Sequence, residues 1–147
     1  MRCVRVLAIT TLFLALPLDA EAQTKSQPDV IVGPFVVNAD KDDALRAASE
    51  SCSTRLAAAL TTKGVAVARD SQLTQKNLKA APAPWAMLGR LERKDGQVRL
   101  ELQLLDVKTG EELRSYFGAD KDPQVVCATA EKAAERVAAF VKEQKGG

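Results

Sequence analysis

Histidine is absent from the 147 residues. No serine or cysteine here can rely on an imidazole for activation, which removes the Ser-His and Cys-His classes of nucleophilic catalysis. An excess of one charge is missing too: 21 Lys and Arg stand against 19 Asp and Glu, for a net charge of +2. That near-balance, with no basic cluster interleaved with aromatics, argues against nucleic acid as a partner. Aromatics are scarce, at 4% of the chain. Trp85 and Tyr116 both fall in strand patterns, where packing against a neighbour is the first expectation and anchoring a partner the second.

Long apolar runs are missing as well. Val6 to Leu16 is shorter than the ~20 residues a membrane-spanning helix needs. It follows Arg2 and Arg5 and precedes Ala20-Glu21-Ala22, the layout of a secretory signal peptide over residues 1–22. Cys3 lies ahead of the apolar run and Gln23, not a cysteine, stands immediately after the expected cut, so no lipobox is read. The expected mature chain has no membrane span and is periplasmic or secreted.

Cysteine is limited to three residues, and Cys52 and Cys127 remain after signal removal. Export exposes them to oxidising conditions. Each lies on the inward stripe of a helix, and the two helices are expected to be neighbours. A Cys52–Cys127 disulfide is therefore expected.

What is present reads as alternating structure. Residues 23–29 are a flexible leader, and residues 30–145 form a single α/β (α+β) domain. Val30 to Val37 is a continuous apolar run, a strand buried on both faces that needs a bulge or a free edge at Pro34. Ala44, Leu45, Ala48, Cys52, Leu56, Ala59 and Leu60 make a stripe at helical period, closed by Gly64. Val65 to Val67 is a short second strand, parallel to the first through the usual right-handed crossover. Ser71 to Lys79 holds one or two helical turns, and Ala80 to Pro84 is a stiff connector.

Trp85 to Phe117 is a three-strand antiparallel meander. Val98, Leu100, Leu102 and Leu104 alternate with Arg99, Glu101 and Gln103, which gives one apolar and one wet face. Asp95-Gly96 is a strong hairpin signal, and Asp106 to Gly110 makes the next turn. Asp122-Pro123 starts a C-terminal helix whose stripe is Cys127, Ala130, Ala134, Val137 and Val141. The predicted fold is a mixed β-sheet, β-α-β followed by the meander and a last helix. Both helices are expected on one face, opposite Arg99, Glu101 and Gln103.

Short motifs resolve into structure rather than chemistry. Lys108-Thr109-Gly110 matches a motif of penicillin-recognising serine enzymes, but no serine has a lysine three residues later. It is read as a turn. Asp40, Asp42 and Asp43 lack the spacing of a calcium loop and suit a helix entry. Cys52, in Ser51-Cys52-Ser53, is a core or disulfide cysteine. No catalytic, metal or cofactor residue is assigned.

The strand ending Pro34-Phe35, the amphipathic helix, Gly64-Val-Ala-Val-Ala-Arg69, the strand carrying Gly89, and Leu100-x-Leu-x-Leu-Leu-Asp106-x-x-Thr-Gly110 come in a telling order. Together they resemble the amino-terminal domain of TolB and its relatives, including FlgO-like and LpoB/CsgG-like envelope proteins. The similarity runs from about Val30 to Phe117. It departs in a short, Pro-rich crossover after Arg69. The resemblance implies a non-enzymatic periplasmic module that contacts other envelope proteins, with no shared catalytic residues.

The expected function is such a binding or accessory module. The alternatives are a small secreted hydrolase built on carboxylates, or capture of a small ligand or lipid in a cavity between helices and sheet. The expected partner surface is Lys108, Glu111, Glu112, Arg114 and Tyr116, pointing outward while Leu113, Ser115 and Phe117 face the core. An edge strand there accepts an added strand from another chain.

Overall fold

Two carboxylate caps and three tight turns lay out the chain. The computed structural model describes residues 26–38 and 41–147. The expected signal peptide (1–22), the first residues of the leader and Asp40 lie outside them. The elements are β1 (Val30–Val37), α1 (Asp43–Thr62), β2 (Val67–Arg69), β3 (Trp85–Lys94), β4 (Gln97–Asp106), β5 (Glu112–Asp120) and α2 (Pro123–Gly146). They build one mixed five-stranded sheet in the order β2-β1-β3-β4-β5. β1 is parallel to β2 and β3, and β3, β4 and β5 are antiparallel.

Both helices begin on an aspartate. Asp42 accepts the Leu45 amide at 3.0 Å, and Asp122 accepts the Gln124 amide at 2.8 Å, ahead of Pro123. Each satisfies an amide that the helix cannot, worth about 1 kcal/mol. α1 ends in a Schellman closure at Gly64 (φ +84°): the Val65 amide bonds Leu60 O and the Gly64 amide bonds Thr61 O. That closure uses Val65, so β2 starts at Val67, two residues later than the sequence suggests. Between β2 and β3 a single 3-10 turn (Leu78–Ala80) forms, where one or two helical turns were expected.

Pro34 takes the bulge rather than the free edge. β1 runs between β2 and β3, and its register with β3 shifts between Val32 and Phe35. A donor missing inside a sheet is tolerated at such an irregularity. The Asp95-Gly96 hairpin has positive φ at both residues, 55° and 75°, as a two-residue turn between twisted strands requires.

α1 and α2 lie side by side on one sheet face. Leu45, Leu56 and Leu60 of α1, Ala130, Ala134 and Val137 of α2, and Leu100, Leu102 and Leu104 of β4 form the main core, each at most 1% exposed. Burying a leucine side chain stabilises by about 1.5–3 kcal/mol. Cys52 and Cys127 are joined across the two helices, with Cα atoms 4.7 Å apart and a sequence separation of 75. Trp85 packs edge-on against Phe140 of α2 at 5.5 Å between centroids.

The opposite face is covered over half its extent. Leu73, Leu78 and Ala83 of the β2–β3 connection pack on Ile31, Ala86, Leu105 and Val107 as a second, smaller core. This is why β1 is buried on both faces only in its first half; beyond the bulge, Val36 is 59% exposed. The remaining half of that face is open.

Candidate functional site

The open half-face is built by strand register. Val36 pairs with Arg90, Arg90 with Glu101, and Glu101 with Phe117, a row across β1, β3, β4 and β5. Glu92, Arg99 and Ala119 form the row on one side, and Leu88, Gln103 and Ser115 the row on the other. Apolar groups thus stand at the two ends of the central row, with an Arg and a Glu between them. Phe117 is 71% exposed. Two recesses lie on this face. One of 640 Å³ runs beneath Thr74–Lys76 beside Val36 and Leu88, and one of 430 Å³ lies by Arg90, Glu92, Arg99 and Phe117.

Leu113 packs on the main core as expected, but β5 departs from the expected orientation beyond it. Arg114 pairs with Leu104, Tyr116 with Leu102 and Gly118 with Leu100, so these three take the helix face. Tyr116 is half-buried against the main core, and the Arg114 guanidinium lies 5.8 Å from the Phe140 ring centroid. Phe117 and Ser115 share the open face instead of facing the core. The cause is a register shift: Leu104 pairs with Arg114 but Leu105 with Glu112, so Leu113 is an extra residue. One extra residue inverts every side chain beyond it. Burial moves the Tyr116 phenol above its usual range, with Arg114 and Arg136 pulling the other way.

The turn before β5 is held by its own side chains. Asp106 accepts the Thr109 amide at 2.9 Å, and Thr109 Oγ1 accepts the Glu111 amide at 3.2 Å. Gly110 has φ +76° and donates to Asp106 O. The Leu-Leu-Asp-x-x-Thr-Gly segment is therefore a strand end and a self-capped turn, and Lys108-Thr109-Gly110 is part of it. Lys108 and Glu111 project from this turn and Glu112 opens β5 beside it, its carboxylate accepting from Gln103 Nε2 and Ser115 Oγ; all three are exposed. The register thus separates the five expected surface residues, three at the turn and two on the helix side of the edge strand.

Electrostatics reside in surface pairs. Arg93 Nε donates to Asp42 at 2.8 Å, and with the Leu45 amide it holds the Asp42 carboxyl below its usual range. Arg55 does the same for Glu131 across the two helices at 2.7 Å. Ser53 is the one buried polar residue among those described, and Arg69 donates to it at 3.2 Å. No carboxylate among the described residues is buried, so the buried carboxylate pair that would mark a hydrolase is not found there. No group of three His, Cys, Asp or Glu among them is placed to hold a metal ion. No described helix is long and apolar enough to cross a membrane.

No family model matches the sequence, and no curated protein matches it. Solved structures do. The PelC dodecamer from Paraburkholderia phytofirmans superposes with a TM-score of 0.54 at 18% identity, over 71% of this chain and 83% of that one. The chain has the PelC fold. TolB from Acinetobacter baumannii is similar over 82% of this chain and 29% of its own, at 18% identity and a TM-score of 0.45. Lipoprotein GNA1162 from Neisseria meningitidis is similar over 76% of this chain and 96% of its own, at 14% identity and a TM-score of 0.49. TolB is thus among the structural neighbours, alongside LpoB.

Proposed function

We propose that the exported chain is a non-enzymatic periplasmic module that contacts other cell-envelope proteins through the open half of its sheet. The observation that carries this reading is the row Val36–Arg90–Glu101–Phe117, on which no described helix or strand packs, with an apolar group at each end. Scattered exposed apolar residues are ordinary, but an apolar and charged row beside a 640 Å³ recess has the composition of a contact surface. We read Lys108, Glu111 and Glu112 at the β4–β5 turn as its continuation, with Arg114 and Tyr116 a separate contact on the helix side of the same edge strand. Residues 1–22 supply export, and residues 30–145 act as one domain. PelC, which shares the fold, is a dodecamer, in keeping with a fold used for protein contact.

The test is photo-crosslinking in cells at native expression. A crosslinker at Val36 should capture a defined envelope protein, and one at Ala139, exposed on α2, should not. Equal capture at both positions, or none at Val36, would end this reading.

A further inference from the structure

The free edge of β5 is complementary to itself. β5 is hydrogen-bonded to β4 on one side and has no strand on the other among the described residues. Such an edge presents a row of unpaired N–H and C=O groups. In an antiparallel pair, residues opposite each other share a face, so a strand meeting its own copy about a two-fold axis has few registers to choose from.

An axis through Phe117 suits both faces. It sets Arg114 opposite Asp120 of the second copy, Ser115 opposite Ala119, Tyr116 opposite Gly118, and Phe117 opposite Phe117. Arg114 makes no ion pair among the described residues; its contacts are Leu113 O at 2.7 Å and the Phe140 ring. The Asp120 carboxylate accepts the Asp122 amide at 2.9 Å and likewise has no cationic partner there. The two-fold pairing forms the Arg114–Asp120 contact twice. Tyr116 stands opposite Gly118, over which Thr129 of α2 already packs, so the pairing opposes no like charges there. On the open face, the two most exposed aromatic rings meet and leave water. An axis through Tyr116 would instead oppose Glu112 to Asp120, and an axis through Gly118 would oppose Tyr116 to Asp120.

We propose that two copies of the chain join edge to edge through β5, on a two-fold axis at Phe117, into one continuous sheet. The open half-faces of the two copies then run together as a single surface. This inference does not depend on the envelope-partner reading, since it is tested on the isolated chain.

Sedimentation equilibrium of the exported, purified chain should show a dimer. Arg114→Asp and Asp120→Arg should each weaken it roughly tenfold or more, and the double variant R114D/D120R should restore it. Phe117→Cys should give a covalent dimer on mild oxidation, faster than Ala119→Cys, because residue 119 faces residue 115 of the second copy. The cysteine variants keep the axis testable should a charge reversal fail to fold. A monomer at all concentrations would overturn the proposal. So would association insensitive to these reversals, or crosslinking no faster at residue 117 than at residue 119.

Discussion

The ring of Phe35 occupies the space that a side chain on Gly89 would need. A β-carbon built on Gly89 would stand 2.6 Å from Phe35 Cγ and Cδ1, well inside van der Waals contact. The two residues are paired across β1 and β3 directly after the bulge, so the ring seals the core at the point where β1 changes register. Gly89→Ala should therefore destabilise the fold by about 1–3 kcal/mol, the usual cost of overpacking. Chemical denaturation measures it, and Phe35→Leu in the same chain should recover part of the loss. An alanine variant as stable as the parent would show that the ring moves aside freely.

Cys52 and Cys127 tie α1 to α2 over 75 residues. Replacing both with alanine should cost about 2–5 kcal/mol, chiefly by releasing the unfolded chain. Mass analysis without reductant should find the purified chain two hydrogens lighter than its reduced form. Two thiols open to alkylation in the unfolded, unreduced protein would contradict the bond.

Acid should weaken the helix ends and the contact between helices. Arg93 lowers the Asp42 pKa and Arg55 lowers that of Glu131. A carboxylate whose folded pKa lies below its unfolded value contributes stability that is present above the unfolded value. That contribution is lost as pH falls through the folded one. Stability should thus be flat above the ordinary carboxylate range, about pH 4–5, and decline below it. Arg93→Gln and Arg55→Gln together should flatten that decline. An unchanged acid limb in urea titrations would assign it to other groups.

The open face should tolerate charge without unfolding. Val36 is 59% exposed and pairs with Arg90. Val36→Asp should change folding stability by less than about 1 kcal/mol, since it leaves both cores intact. The same substitution should abolish partner capture at neighbouring positions on the row. Unaltered capture would move the contact surface elsewhere.

Local signals carried most of the fold. Alternation in Val98–Leu104, the Asp95-Gly96 turn, the Asp122-Pro123 helix start and the helical stripes depend on near neighbours in the chain. Their periods are set by strand and helix geometry. The placement of both helices on one face also follows from them, because each has a single apolar stripe and β4 has a single apolar face.

The face of Phe117 was decided by tertiary structure alone. Leu113, Ser115 and Phe117 alternate as an inward set only while the register with β4 is unbroken, and the extra residue at Leu113 breaks it. A bulge depends on which residue of a distant strand stands opposite, and nothing within β5 encodes that. The half-open sheet is of the same kind. The connection between β2 and β3 covers Ile31 and Ala86 but stops short of Val36 and Arg90, and its reach depends on how Leu73 and Leu78 pack. The sequence by itself determined the elements, their order and the two cysteines. Only packing between elements far apart in the chain decided which aromatic faces the solvent and which half of the sheet stays open.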